Sequence, residues 1–247
     1  MKKAEKKKKV AIVGFANGRD KAPFDNPDYE IWTVNNLHQF VPRQDRMFEI
    51  HQRWTWDGQL HGKPADEHVK FMQTCGIPVY NCQVFDDIPT SIRYPIELMT
   101  EEFGMQRAGF SNPNHKDGYW TNTISMMIAL AIYEKFDVIE VYGVDMAVGT
   151  EYNEQRPSCE YYLGIAKGRG IEVKIPAECD LLKSRFIYGF EDEKIHAWQE
   201  KVNNTINSML QRKAESDNNA RMQQSVSDKY EGAITAIREM DSRWGEN

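Results

Sequence analysis

The four cysteines of this 247-residue chain, Cys75, Cys82, Cys159 and Cys179, include no CxxC pair and no nearby histidine at a zinc spacing. They supply neither a disulfide framework nor a structural zinc site, and free thiols in a reducing cytoplasm are the expectation. No apolar run approaches the roughly 18 residues that a membrane span needs. Basic excess is also missing: 31 Lys and Arg against 37 Asp and Glu leave a net charge of -6. A general coat for DNA or RNA, whose affinity rests on neutralising phosphates, is thereby excluded. There is no GxGxxG, no P-loop, no HExxH and no internal repeat. Lys2, Lys3 and Lys6 to Lys9 precede an apolar stretch, Val10 to Phe15, that is too short for a secretion signal, so no export is expected.

What the chain does have is the make-up of a globular protein, 40% hydrophobic and 28% charged with a mean hydropathy of -0.66. At roughly 150 residues per domain, this length suits one large domain, or a medium domain with an appendage. Lys9 to Val13 is a β-rich run that breaks at Gly14 into a loop. Further strands read at Tyr29 to Val34, ending in Asn35-Asn36, and at Arg46 to Ile50, ending in His51. A helix from Pro64 to Cys75, capped by Gly76, precedes a strand at Ile77 to Tyr80, and Tyr94 to Phe103 reads as helical. Gly109 to Gly118 has the composition of a mobile or ligand-facing loop. The clearest unit is a helix over about Thr121 to Phe136, with Ile124, Met127, Ile128, Ala131 and Ile132 inward, followed by a strand at Val138 to Tyr142. The helix Cys159 to Lys167 and the strand Ile171 to Ile175 repeat the unit. Alternation of this kind predicts an α/β, Rossmann-like fold, a mostly parallel sheet with flanking helices.

From Glu191 onward the β signal and proline both vanish. Ile195, Trp198, Val202, Ile206, Met209 and Leu210 form one stripe at spacings of three and four, and Tyr230, Ala233, Ile234, Ile237 and Met240 form another. The polar stretch Glu215 to Asn219 is the expected turn between them. The organisation expected is a basic flexible N-terminus at 1–8, a nucleotide-binding domain at 9–190 and a helical hairpin at 191–247. Such a hairpin packs on its parent domain or on a second copy in a homo-oligomer.

Ligands of open α/β sheets bind outside the carboxyl ends of the strands, where loops diverge and helix N-termini offer N–H groups. Gly14, Asn17 and Gly18 would let backbone amides approach a phosphate, or would form an ordinary tight turn, and Arg19 adds a guanidinium. Asn35 and Asn36 suit a ribose hydroxyl or a base edge, or else an Asx turn. His51 would act as a general acid or base, or serve a structural role. Thr121 or Thr123 would cap the best helix, whose free amides favour an anion. Gly143-Val144-Asp145 brings a carboxylate to the same rim, to bind a ribose, a metal or a leaving group or else to cap the next segment, and Tyr152, Gln155, Arg156 and Glu160 would fold over it. The acid–base candidates are therefore His51, Asp145 and Glu160. No set of residues has metal-ligand spacing, and Asp86-Asp87 reads as a surface turn.

The segments IVGFANGRDKAPF, IWTVNN and TNTISMMIALAIYEKFDVIEVYGVDM resemble a Rossmann-like superfamily. It holds the bacterial CMP-sialic-acid-dependent sialyltransferases, flagellin-modifying glycosyltransferases and archaeal hydroxymethyl-dihydropterin pyrophosphokinases. The likeness covers roughly residues 9 to 182, and the segment DLLKSRFIYGFE resembles proteins common in bacteriophage genomes. By position, the resemblance implies that Gly14, Asn17 and Gly18 approach a nucleotide phosphate, that Asn35 or Asn36 meets its ribose or base, and that Thr121, Thr123 and Gly143 complete the wall. Two departures stand out. The first loop reads Phe-Ala-Asn-Gly-Arg where the family has a Gly-Pro-Ser type loop. The sialyltransferases' catalytic histidine follows the Gly-(Ile/Val)-Asp strand, and no histidine occurs here between Asp145 and Pro176.

The function expected is binding of a nucleotide or nucleotide-activated small molecule with transfer of a glycosyl or similar group. The alternatives are a non-catalytic phage accessory protein that sequesters a nucleotide or a host protein, and a magnesium-dependent pyrophosphokinase. No cofactor beyond the nucleotide or nucleotide-sugar ligand is required by the sequence.

Overall fold

A computed structural model describes residues 6–56, 65–105, 117–146, 150–177, 179–184 and 186–244. The chain forms two compact units, Met1–Lys183 and Ser184–Asn247. The first holds seven strands, β1 (Lys9–Val13), β2 (Tyr29–Val34), β3 (Arg46–Glu49), β4 (Val79–Asn81), β5 (Ser91–Arg93), β6 (Val138–Tyr142) and β7 (Glu172–Lys174). They form one sheet in the order β5-β4-β3-β2-β1-β6-β7, and every pairing is parallel. This is the α/β Rossmann-like arrangement. Because the chain runs outward from β1 to β5 and then returns to add β6 on the other side of β1, the strand order reverses between β1 and β6.

The helices of this unit are α1 (Arg53–Trp56), α2 (Ala65–Thr74), α3 (Ile96–Phe103), α4 (Thr123–Tyr133) and α5 (Thr150–Gly168). Each residue of α4 from Ile124 to Ile132 is buried, including those off the expected inward stripe. Its neighbours explain this, since α4 lies on β1, β2 and β3 with α3 and α5 beside it, and a helix that is apolar all round belongs in a core. Met127, Ile128 and Ala131 pack with Ile12, Trp32, Phe48 and Val141 in the main cluster. On the sheet's other face the buried carboxylate Glu140 accepts from Tyr29 Oη at 2.7 Å, Tyr142 Oη at 2.6 Å and Lys174 Nζ at 2.8 Å. A buried charge is tolerable only when partnered in this way.

Several expectations need correction. The helix expected to begin at Cys159 begins at Thr150 and carries Pro157 inside it. Strand β5, three residues long, has no counterpart among the expected elements. The cap of α4 is Asn122, not Thr121 or Thr123: the Asn122 side chain accepts from Ser125 N at 2.9 Å. Of the basic segment 1–8, Lys6, Lys7 and Lys8 form exposed ion pairs with Asp28, Glu172 and Glu134. The expected loop at 109–118 lies, except for its last two residues, outside the described residues. All four cysteines are free thiols.

The second unit contains a single helix, α6 (Glu193–Trp244), where a hairpin was expected. Glu215 to Asn219 contains neither glycine nor proline, and the helix penalty of Ser, Asp and Asn is well under 1 kcal/mol each. Polarity marks that stretch as solvated without breaking the helix. Among the described residues no helix is long and apolar enough to cross a membrane.

Candidate functional site

At the point of strand-order reversal, the loops after β1 and β6 meet backbone to backbone. Gly14 N–H donates to the Tyr142 carbonyl at 2.9 Å, and Ala16 N–H donates to the Gly143 carbonyl at 2.7 Å. A Cβ on Gly14 would stand 2.6 Å from the Gly143 oxygen, and one on Gly143 would stand 2.5 Å from the Gly14 oxygen. Gly143 also has φ +60° and Gly18 +83°, which suit glycine. Arg19 folds back on its own loop, donating to the Phe15 carbonyl at 2.6 Å, with its guanidinium 5.6 Å from the centre of the Phe40 ring. Gly14, Gly143 and Arg19 thus have packing contacts of their own within the protein.

A cavity of about 340 Å³ opens at the ends of the neighbouring strands, lined by Val34, Asn35, Ile50, His51, Thr121, Asn122, Thr123, Ile124, Met126, Met146 and Gln155. It joins five of the sequence candidates, Asn35, His51, Thr121, Thr123 and Gln155. Of the others, Gly14, Asn17, Gly18, Arg19, Asn36, Gly143, Asp145 and Glu160 are not among its lining. Val34 ends β2 and Asn35 follows it, Ile50 and His51 follow β3, Met146 follows β6, and Thr123 and Ile124 begin α4, so three carboxyl-end loops and a helix N-terminus converge. The first-turn N–H groups of a helix have no partner within it, and the helix dipole adds partial positive charge there.

Asn35 adopts φ +47°, a conformation asparagine tolerates better than most residues. Its Oδ1 is buried and has no hydrogen-bond partner among the described residues. An unsatisfied buried acceptor costs on the order of 1–3 kcal/mol.

The other polar group is a relay of which only His51 stands out in the sequence. Glu49, at the end of β3 and 2% exposed, accepts from His51 Nδ1 at 2.7 Å and His68 Nε2 at 3.0 Å. His68 Nδ1 in turn lies 3.1 Å from His38 Nε2. An ionised carboxylate only accepts, so His51 carries its proton on Nδ1 and, when neutral, has Nε2 as its basic nitrogen. By the same logic neutral His68 accepts at Nδ1 and His38 donates from Nε2. Burial works against the Glu49 charge, but the hydrogen bonds and charges of His51 and His68 outweigh it and hold the carboxyl below its usual range. Burial, aided by the proximity of His68, pushes His38 down to about 4. The backbone carbonyl of His51 is itself gripped by Trp56 Nε1 at 3.2 Å and Cys82 Sγ at 3.5 Å. A histidine oriented by a buried carboxylate is the arrangement that proton transfer requires. Strand alternation hinted at Glu49, since it is a charged residue amid the apolar Met47, Phe48 and Ile50, but nothing in the sequence paired it with His68.

The far wall is tied down by Asn122, whose Nδ2 donates to the Gln155 carbonyl at 2.9 Å and to Ser158 Oγ at 3.1 Å. Thr121 Oγ1 lies 2.5 Å from the same Ser158 hydroxyl. Glu160 is committed elsewhere: it accepts from Arg156 Nε and from Leu182 N–H, both at 2.8 Å, and so anchors the chain after β7. Asp145 is exposed beyond β6. Asp87, of the Asp86-Asp87 pair, is bound by Arg53 through two hydrogen bonds of 2.6 and 2.7 Å, which hold its carboxyl down to about 2. Among the described residues there is no group of three or more metal-ligating side chains.

No family model matches this chain, and no curated protein does. Two solved structures are similar to it at a low level. One is the sialyltransferase CstII from Campylobacter jejuni in complex with the substrate analogue CMP-3FNeuAc, at 11% identity and a TM-score of 0.42, covering 70% of this chain and 80% of that one. The other is the sialyltransferase CST-II in complex with a trisaccharide acceptor and CMP, at 12% identity and a TM-score of 0.40, covering 73% of this chain and 89% of that one. Likeness at this level transfers no site residue to the present chain.

Proposed function

We propose that the cavity at the ends of β2 and β3 binds a nucleotide or nucleotide-activated small molecule, and that a glycosyl or similar group is transferred from it with His51 as the acid–base residue. The observation that carries this is the convergence, on one cavity, of a helix N-terminus, a buried unpartnered amide oxygen and a histidine braced by a buried carboxylate. Each meets a part of such a ligand. The α4 amides suit a phosphate, Asn35 Oδ1 accepts from a ribose hydroxyl or a base amine, and Ile50, Ile124, Met126 and Met146 offer apolar walls to the base. In the transfer step the bond between the glycosyl carbon and the donor phosphate breaks, its electron pair leaving with the phosphate. The acceptor oxygen bonds to that carbon, and its proton passes to His51 Nε2. Glu49 holds the ring in the required tautomer and stabilises the imidazolium that forms.

A thermal-shift screen against nucleotides and nucleotide-sugars tests this. A ligand at a hundredfold its Kd stabilises by about 2.7 kcal/mol, a shift that His51→Gln retains and that a bulky Asn35→Leu abolishes. If no nucleotide or nucleotide-sugar raises Tm at millimolar concentration, the proposal fails.

A further inference from the structure

We propose that α6 pairs with the α6 of a second copy of this chain in an antiparallel two-stranded coiled coil. The helix is roughly 78 Å long at 1.5 Å per residue, and its large apolar side chains stand in solvent: Trp198 is 65% exposed, Ile237 66% and Met240 72%. A run this long without a break is the signature of a coiled coil rather than of a globular helix. Counting in sevens from Ile195, the first position recurs as Val202, Met209, Ser216, Gln223, Tyr230 and Ile237. The fourth recurs from Trp198 as Thr205, Arg212, Asn219, Val226, Ala233 and Met240. One heptad register therefore runs the whole length, apolar at both ends and polar in the middle.

That polar centre chooses the partner and its direction. In a parallel pair each residue faces its own copy, so Arg212 would face Arg212 in the seam, two like charges removed from water without a counter-charge. In an antiparallel pair centred between Ser216 and Asn219, first positions face fourth positions. Ile195 then meets Met240, Trp198 meets Ile237, Val202 meets Ala233 and Met209 meets Val226. Arg212 meets the neutral amide of Gln223, and Ser216 meets Asn219 at the two-fold axis. Apart from Thr205, which meets Tyr230, apolar layers fall on apolar layers and polar on polar, and no like charges face each other in the seam. Buried polar layers of this kind fix register in coiled coils, and the two-fold makes the surface self-complementary, as a closed dimer requires.

Light scattering of the full chain at about 100 μM should give twice the 28.7 kDa chain mass, and Ile237→Glu should return it to a single chain. Direction is read by disulfide trapping under mild oxidation, with the linked peptides mapped by mass spectrometry. A mixture of Met209→Cys and Val226→Cys chains should cross-link between positions 209 and 226. Met209→Cys alone should not link to itself, because the two copies of that position lie about 25 Å apart along the axis. A single-chain mass for the unmodified protein, a mass of three or more chains, self-linking at 209, or no 209–226 link in the mixture would each overturn the proposal.

Discussion

Gly14 and Gly143 occupy each other's side-chain space: a Cβ on the first would stand 2.6 Å from the carbonyl oxygen of the second, and the converse distance is 2.5 Å. Glycine after the first strand of such a sheet invites a phosphate explanation, but here the close approach is between two loops of the protein itself. Gly14→Ala should therefore destabilise the ligand-free protein by about 1–3 kcal/mol, and Gly143→Ala by at least as much because its φ of +60° adds backbone strain. Urea denaturation without ligand measures both. Unchanged stability combined with lost nucleotide binding would restore the phosphate role.

His51 and Asp145 separate under the same pair of assays. His51→Gln should lower turnover by about 10²-fold or more, as loss of a positioned acid or base does, with ligand-induced stabilisation preserved. Asp145 is exposed and outside the cavity lining. Asp145→Asn is expected to leave both turnover and binding unchanged, and a drop in either would place its carboxylate in the site.

Acid should loosen the first unit through His38. Its pKa in the folded state is about 4, below the usual 6.5, so the unfolded chain binds more protons between those values. This contribution to stability is complete above pH 6.5 and declines as pH falls toward 4, at up to about 1.4 kcal/mol per pH unit. Glu49, whose carboxyl is held below its usual 4.5, contributes stability above that value and loses it on further acidification. His38→Gln keeps a donor for His68 and removes the titration. Stability measured by denaturant midpoint should be flatter in this variant between pH 6.5 and 4.5, and an unaltered slope would show that His38 does not titrate as argued.

Asn122 is both the cap of α4 and its bridge to α5. Asn122→Ala should cost about 1–2 kcal/mol from the lost cap alone, whereas Thr123→Ala should cost less than 0.5 kcal/mol, within the range of substitutions away from such features. Thermal denaturation of the two variants side by side would reveal a Thr123 cap if the order were reversed.

Local patterns account for much of what the sequence showed. Strands β1, β2 and β6 stand where their β-branched runs begin and end, because a strand buried on both faces needs an unbroken apolar stretch, and Gly14, the asparagines 35 and 36 and Gly143 stop those runs. Strand β5 escaped because Ser91-Ile92-Arg93 is too short to alternate and sits at the sheet's edge. The first half of α5 escaped because Pro157 and a charged run read as loop, whereas a helix can lose one N–H when its neighbours are held from outside. The hairpin at the C-terminus was a misreading of polarity as a turn.

Around the cavity, local sequence is enough to say which side chains stand at the carboxyl ends of strands, since strand ends are marked by the residues that break them. Asn35 and His51, marked in this way, both line the cavity. Which of those ends share a cavity, and which close on each other, is set by the folded chain as a whole. Gly14 and Gly143 are 129 positions apart and seal one crevice, and Glu49 reaches His68 across 19 to brace His51. Contacts of that kind depend on how far α4 sinks into the sheet and how closely two loops approach. Both are outcomes of packing the whole core at once, and no local run of residues encodes them.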